Sequence, residues 1–384
     1  MQIGSLVSSE WRSLLSALPA SLDLTALARS KRAILRSRRV SDGETLLRLA
    51  LWYGPCGLSL RGAAAQAVGT ATADLSDVAL FKRLAGAADW LEAIVTAVLA
   101  ERQTERVACK RPLVLIDATA IHHPGSDGTD WVLHSRYDPE AGFTGFELTD
   151  RHGGEALVRH AIAPGEIVIA DRGYAHAKGL LHVLGRGADF IVRTGWSSLA
   201  FRDPEGRRLD LVAGLEGLPP GQTCELRVDV AVKDRTFPVR LVVLAKDEPA
   251  AQAELRRVGR KAQKNQRVGD PRSRLAARYT MIVTSLDAET YPAADVLALY
   301  RLRWQIELAF KRLKSLLHLD RLPAKNKGLA RTWLNAHLLL ALLIDDMTQQ
   351  ALDSPPCAPS HGPPSAIEVE TPTSHHLRRH RLPL

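Results

Sequence analysis

Two short runs of wholly apolar residues, Leu-Val-Leu-Ile at 113–116 and Ile-Val-Ile-Ala at 167–170, are each followed directly by an aspartate, Asp117 and Asp171. Runs of this length without polar alternation predict strands buried on both faces, as in the parallel part of an α/β sheet. An acid that follows such a strand stands on a rigid platform, at the sheet end where open α/β folds gather their ligands. One aspartate of this kind is an ordinary turn residue. Two crowded at one sheet end repel each other unless a cation neutralises them, and hard carboxylate oxygens suit Mg²⁺ or Mn²⁺.

The middle of the chain fits such a sheet. Residues 131–137 and 143–149 predict two more strands with a turn at 140–142 between them, residues 175–185 a helix, and residues 189–193 a strand. Strands followed by mixed helices and strands imply an α/β sheet with mixed pairing. Residues 196–278 interrupt it as a β-rich insertion, with strands expected at 209–212, 224–232 and 237–244. The end of this insertion, from Arg256 to Arg278, holds nine Lys and Arg against one acid, Asp270, which fits a solvated loop or a phosphate-contacting segment. A strand is expected again at 279–284, then helices over 293–317 and 329–352.

Upstream, Leu46, Leu47, Leu49, Ala50 and Leu51 recur at helical spacing, as do Leu91, Ile94, Val95, Val98 and Leu99. Between them lie two short helical segments, the second with Ser76 as its N-cap. They allow a helix-turn-helix with Lys82 and Arg83 near phosphates. The joining stretch from Gly69 to Leu75 is longer than the usual turn, so an ordinary helical bundle fits equally. The tail from 353 has five prolines before 365 and a basic end, and is expected to be disordered. The organisation expected is a helical, DNA-binding N-terminal region (1–105), the first part of a core (106–195), the insertion (196–278), the rest of the core with its last acid-bearing helix (279–352) and the tail (353–384).

At 384 residues and 46% hydrophobic, the chain is long enough for two or three units and can bury a sizeable core. Its net charge of +9 favours a polyanionic partner, nucleic acid first and an anionic membrane surface second. Cys56, Cys109, Cys224 and Cys357 form no CxxC pair, so neither a zinc ribbon nor a disulfide framework is expected. No basic-then-apolar leader is visible. The longest apolar run, 338–344, falls far short of the roughly 20 residues of a membrane span. A soluble cytoplasmic protein with reduced thiols is expected.

The strongest chemical signal lies in the helix expected over 293–317. At 100° per residue from Tyr300, Arg303 falls at about −60°, Glu307 at about −20° and Lys314 at about −40°. Lys311 and His318 lie close to that face, while Leu302, Ile306, Ala309, Phe310, Leu313 and Leu317 take the opposite one. Arg303–Glu307 alone is an ordinary i,i+4 pair. The tyrosine and the later bases make it more than that. Three carboxylates beside a basic stripe suit two-metal phosphoryl chemistry, in which one metal activates water or a 3′-hydroxyl and the other stabilises the leaving oxygen. The bases would hold the phosphodiester and its neighbours.

These residues carry a resemblance. The chain resembles DDE transposases of bacterial insertion sequences, specifically the insertion-sequence-four family. That family's signature is Tyr, two residues, Arg, three residues, Glu, six residues, Lys, and it stands here as Tyr300, Arg303, Glu307 and Lys314 without departure in spacing. Its second acid lies in an Asp-Arg-Gly-Tyr segment, here 171–174, and its first in a segment similar to Ile-Asp-Ala-Thr at 116–119. The resemblance covers roughly residues 45–350.

The resemblance implies an α/β fold, a ribonuclease-H-like mixed sheet with flanking helices and a β-rich insertion before the last catalytic helix. It implies Asp117, Asp171 and Glu307 as catalytic and metal-binding carboxylates, with Mg²⁺ as cofactor and Mn²⁺ as a substitute. The reaction implied is cleavage at transposon ends and strand transfer into target DNA. Arg303 and Lys314 would grip phosphate near the cleavage point and Tyr300 would touch the backbone. Lys311, Arg172, Tyr174 and Trp304 are expected as further DNA contacts. The partners are double-stranded DNA, both terminal inverted repeats and target, and a second copy of the chain, because synapsis joins two ends. In relatives an aromatic in or near the insertion steadies a flipped base during a hairpin step. The strand at 279–284 has Tyr279 but no Trp, which leaves Trp304 or Trp196 for that role.

Two other functions fit the same residues: a catalytically silent DNA binder that occupies transposon ends, and another ribonuclease-H-like nuclease. The complete set of acids argues against the first, and the long insertion with its basic stripe argues for duplex DNA over the second. His122 and His123 are adjacent, so on an extended strand they face opposite ways. At least one is expected at the surface or facing DNA. Asp150 reads as a turn residue, Glu155 as a helix-start charge, and Cys109 beside Lys110 as a bystander.

Overall fold

The computed structural model describes residues 7–353, apart from 8, 9, 37, 38, 105–110, 124, 127, 216, 234, 265, 267–269, 320 and 321. The expectations for residues 354–384 and for Cys109 and Lys110 lie outside the described residues. The chain begins with helices α1 (Trp11–Ser16), α2 (Leu24–Ser30), α3 (Gly43–Tyr53), α4 (Leu60–Gly69), α5 (Asp77–Ala85) and α6 (Ala88–Thr104). Strands β1 (Leu113–Ile121), β2 (Trp131–Asp138), β3 (Gly142–Asp150) and β4 (Ile167–Ala170) follow, then α7 (Ala177–Gly185) and β5 (Asp189–Thr194). Next come β6 (Phe201–Arg202), β7 (Thr223–Val232), β8 (Arg235–Ala245), α8 (Glu248–Lys264) and α9 (Pro271–Ala276). The described chain closes with β9 (Tyr279–Thr284), α10 (Ala293–Arg301), α11 (Trp304–Leu317) and α12 (Lys327–Asp353).

Among the described residues the strands form one mixed sheet in the order β3-β2-β1-β4-β5-β9-β8-β7-β6. β1, β4 and β5 run parallel at its centre, and every other pair is antiparallel. The β2–β3 hairpin turns where the Asp138 side chain accepts from the backbone N–H groups of Glu140 and Ala141, and Gly142 takes a positive φ of 76°.

The central strands are apolar throughout because both faces are covered. Side chains alternate across a strand, so Leu115, Ile167, Ile169 and Ile191 join one core with Ile306, Phe310 and Leu313 of α11. Val114, Ile116, Val168, Ala170 and Val192 join the other with Leu180 and Val183 of α7. The first core also holds the N-terminal helices, because α12 packs along α6, α5 and α3. Thr332 donates to the Leu84 carbonyl at 2.6 Å and Arg331 pairs with Asp89 at 2.9 Å. A Cβ at Gly328 would overlap the Ala85 carbonyl oxygen, so the two backbones touch there.

Several local expectations change. Residues 209–212 are not a strand; the Asp210 side chain accepts from the Val212 N–H and winds the chain into a turn. The basic stretch from Arg256 is largely helical, in α8 and α9, rather than a loop. The strands of 196–278 do not form a sheet of their own. β8 pairs with β9, and β9 with β5, so the insertion extends the central sheet. The helix expected over 293–317 is two helices, with Leu302 and Arg303 in a tight turn between them.

Candidate active site

Strand register builds the floor of the site. Ile116 is level with Ala170, and Ala170 with Val192. The next residue of each strand falls in one row: Asp117, Asp171 and Arg193. All three share the face of Leu115, Ile169 and Ile191, which is the face under α11. Neighbouring strands are about 4.8 Å apart, so parallel pairing alone sets the two acids side by side. β4 ends at Ala170, whereas β1 continues to Ile121 with Asp117 level with Ser135 of β2. Asp117 therefore lies inside its strand, not after it. The apolar run stopped at Ile116 because parallel cover stops there.

The turn between α10 and α11 supplies the charges above this floor. Leu302 and Arg303 keep right-handed helical angles, so Tyr300, Arg303 and Glu307 still share a side despite the break. The Tyr300 hydroxyl donates to Asp171 at 3.1 Å. Arg303 donates to Glu307 at 2.6 Å and lies 3.6 Å from Asp117, and Arg193 lies 3.7 Å from Asp171. The guanidinium of Arg303 also sits 5.8 Å from the Tyr300 ring centre. Its Nε is buried and has no partner among the described residues.

The two aspartates are pushed in opposite directions. Burial drives Asp117 up to about 6, reinforced by Glu155 and Asp171 and only partly opposed by the Ala118 N–H and Arg303. Burial also raises Asp171, but the Arg172 N–H, Arg303, Arg193 and the Tyr300 hydroxyl outweigh it and hold this carboxyl below its ordinary range. Burial and the nearby Asp171 together push the Tyr300 phenol upward, so it stays a donor.

The other expected contacts divide. Lys311 and Lys314 line the open cleft that holds Asp117 and Glu307. Trp304 is 54% exposed beside Arg303. Arg172 is exposed and faces a second cleft with Arg193, Trp196 and Lys246. Tyr174 is 1% exposed in the core under α7, so its ring is not at a DNA-facing surface. The Trp196 indole donates to Ser273 at 3.3 Å and Arg272 stacks on its ring at 4.4 Å. Tyr279 is buried and donates to the Leu215 carbonyl at 2.6 Å. His123 pairs with Asp130 at 3.0 Å, and His122 meets the Gly128 carbonyl at 2.7 Å. Asp150 accepts from the His152 N–H in a turn.

The sequence reading missed two features. Glu155 precedes only the short 3₁₀ turn Leu157–Arg159 and is not in it; it lies against Gly173, raises the Asp117 carboxyl, and is itself raised by burial and then by Asp171. A third cleft, lined by Arg193, Lys246, Arg257 and Arg260, opens beside Tyr300 and Arg303, so the basic stretch from Arg256 meets the site through α8, a closeness its sequence alone did not give. Burial holds Lys246 below the ordinary lysine range; Glu254 offsets this in part, and the positive neighbours Arg193, Arg172 and Arg257 deepen it. Arg193 was findable in principle, as the residue one past the apolar run of the third parallel strand.

Among the described residues no three acid, His or Cys side chains close on one point as metal ligands do. Arg303 stands between two of the acids instead. The donor set nevertheless suits a hard divalent cation. It is all carboxylate oxygen, and Asp117 is a buried carboxyl whose ionised form lacks sufficient compensation.

A mixed sheet with acids at one end of its parallel strands, and a carboxylate-bearing helix over them, defines a nucleic-acid-processing class of α/β protein. The family profile described as "Transposase DDE domain" matches residues 108–344, and the chain belongs to the DDE transposases. It is similar to the putative transposase InsL for insertion sequence element IS186A of Escherichia coli (strain K12), at 42% identity over 355 residues, 90% of this chain and 96% of that one. The transposase for IS421 of Escherichia coli is 42% identical over 356 residues, with the same coverage. A more distant relative is the transposase for IS231F of Bacillus thuringiensis subsp. israelensis, 27% identical over 224 residues, 52% of this chain and 46% of that one.

Proposed function

We propose that this transposase is of the insertion-sequence-four type, cutting DNA at the terminal inverted repeats of its element and joining the ends to target DNA. Asp117, Asp171 and Glu307 are its catalytic carboxylates. The observation that carries this is Arg303, whose guanidinium occupies the ground between Glu307 and Asp117 at 2.6 and 3.6 Å. Carboxylates from a strand and a helix that draw in a guanidinium from the turn above them are poised for a stronger cation. Mg²⁺ ions, or Mn²⁺ in their place, would supply charge to stabilise the attacking and leaving oxygens of the phosphodiester, in the two-metal manner.

The chain's own residues do the rest. Tyr300 and Arg193 keep Asp171 ionised. Lys311 and Lys314 hold phosphates along the cleft, and Arg303 turns from the carboxylates to the phosphate when DNA enters. Trp304 offers an exposed ring to a base or sugar. Arg172 takes a phosphate from the other side. The N-terminal helices α4 and α5, with Arg61 and Lys82 exposed, hold the flanking duplex. Two copies bring two ends together in the cytoplasm.

The test is cleavage of linear DNA carrying the element's own inverted repeats, in Mg²⁺. The parent should nick at the repeat boundary, while Asp171→Asn and Glu307→Gln should fall to background. Either variant cutting as fast as the parent would remove the assignment. Sizing the protein–DNA complex should give two chains per two ends; one chain per pair of ends would exclude the dimer.

A further inference from the structure

We propose that the third cleft, lined by Arg193, Lys246, Arg257 and Arg260, holds the backbone of duplex DNA that lies outside the terminal repeat. The inference rests on the proposed cutting at repeat ends. It gives a role to the basic stretch from Arg256, which that proposal leaves unused.

Five cations from four parts of the chain line this cleft: Arg193 from β5, Lys246 from just past β8, Arg257 and Arg260 from α8, and Arg303 from the turn before α11. Arg193 and Arg303 also serve Asp171 and Glu307. The other three face a single lining acid, Glu254. On α8 the lining residues Ala250, Ala253, Arg257 and Arg260 recur at helical spacing, so one stripe of the helix borders the opening. The Arg257 side chain is 66% exposed and meets Glu254 only at 3.6 Å, a weak surface pair. Arg260 is exposed and forms no ion pair among the described residues. Burial first, and then Arg193, Arg172 and Arg257, press against the Lys246 charge, with Glu254 offsetting part of this. Bases in the second half of a helix suit its negative end. That accounts for α8 alone, not for the cations that β5 and β8 bring to it. Like charges gathered from separate elements are the footprint of a polyanion.

The position of the cleft selects the DNA. β8 and β5 both pair antiparallel with β9, so β8 finishes at the sheet end that carries the acids. In the sheet order β8 lies four strand spacings from β1, about 19 Å at roughly 4.8 Å each. That is room for about five or six phosphates of a stacked strand. The N-terminal bundle reaches the sheet at the opposite edge, where α6 and α12 meet β3. Lys311 and Lys314 line the cleft on the Asp117 side. DNA that enters past α5 and these lysines crosses the acids and continues over β5 to α8. The repeat lies on the entry side. DNA beyond the repeat differs at every insertion, so only contacts that carry no base information serve there. Cations beside Ala250 and Ala253, residues small enough for a close backbone approach, are contacts of that kind. The donor flank before cutting and the target DNA after it present the same backbone.

The experiment measures the salt dependence of binding of the full-length protein to two linear DNAs, one ending flush at the repeat boundary and one extended beyond it. On the extended DNA, Arg257→Ala combined with Arg260→Ala should flatten the slope of log affinity against log salt by about 1.8, two phosphate contacts at roughly 0.9 each. On the flush DNA the slope should stay that of the parent. Arg257→Lys with Arg260→Lys keeps both charges and should restore the parent slope on the extended DNA. Lys311→Ala, by contrast, should flatten the slope on both. Equal flattening on both DNAs in the double alanine variant would put the repeat itself in the cleft, and no flattening on either would make α8 a solvated face; each result overturns the inference. Two activity assays separate the sources of the backbone. Cutting of extended DNA falls if the cleft holds the donor flank, and joining of pre-cut ends falls if it holds target. Parent rates in both assays would also overturn the inference. The proposed function is judged separately, by whether the parent cuts at the repeat boundary in Mg²⁺. If it cuts there while the α8 slopes do not differ between the two DNAs, this inference alone falls.

Discussion

The guanidinium of Arg303 donates to the carboxylate of Glu307 at 2.6 Å, one helical turn away, and the same group reaches Asp117 at 3.6 Å. A side chain placed this way competes with a divalent cation until phosphate draws it off. Arg303→Ala should therefore tighten Mn²⁺ binding to the DNA-free protein, by about tenfold if a charged hydrogen bond of roughly 1.5–3 kcal/mol is partly recovered. DNA cleavage should fall in the same variant. Calorimetry and a cleavage assay read the two effects separately. Weaker Mn²⁺ binding would show that Arg303 supports the carboxylates instead of competing for them. Arg303→Lys should not rescue cleavage, because the ammonium lacks the planar fork.

Asp117 makes a pH-dependent prediction. Its carboxyl stands at about 6 in the fold against an ordinary value of 3.8. The folded state then holds the proton more tightly than the unfolded state. Stability is greatest below the unfolded pKa and is lost as pH rises through the folded one. In a chelator at about pH 8, Asp117→Asn should be more stable than the parent by about 2–3 kcal/mol, and the gap should close near pH 4. Urea midpoints at the two pH values measure it. Cleavage should be absent in the variant, so activity and stability pull in opposite directions at one residue. Identical midpoints at the higher pH would mean that burial does not burden this carboxyl.

Lys311 is exposed and lines the cleft with Asp117 and Glu307. If it meets a phosphate, binding to repeat-end DNA should lose about one released counterion in Lys311→Ala. The slope of log affinity against log salt should flatten by about 0.9. A parallel line at lower affinity would instead indicate a shape change without loss of an ionic contact.

Gly328 touches the Ala85 carbonyl across the α12–α5 contact. Gly328→Ala must push the helices apart and should destabilise the protein by about 1–3 kcal/mol, although alanine is the better helix former. Chemical denaturation gives the number. A gain in stability would mean that the contact relaxes at no cost.

Much of the site was legible in local pattern. The apolar runs before Asp117 and Asp171 marked the central strands because burial on both faces leaves no polar alternation. Helical spacing grouped Tyr300, Arg303, Glu307 and Lys314, and the short break at Leu302 and Arg303 did not disturb that grouping because both residues keep helical angles. What stayed hidden was set by pairing between distant segments. Nothing near β8 announces that it joins β9, and the level row of Asp117, Asp171 and Arg193 exists only once three strands are in register. Glu155 reads as a helix-start charge because its real partner, Gly173, contributes no side chain to notice. Tyr174 reads as a contact because its motif sits beside an acid, yet the chain turns there and sends the ring inward.

The dependence of α3, α5 and α6 on α12 also sets an order of events during synthesis. More than two hundred residues separate Thr104 from Lys327. At about 5–20 residues per second that is on the order of tens of seconds of translation. For that interval the apolar faces that α12 will cover stay bare on the nascent chain, open to a chaperone and to aggregation. The N-terminal helices reach their packed form only after Lys327 and the residues that follow it have been made. A transcript broken before the codon for Lys327 yields a product in which α3, α5 and α6 have lost their packing partner, even though every residue of them has been made.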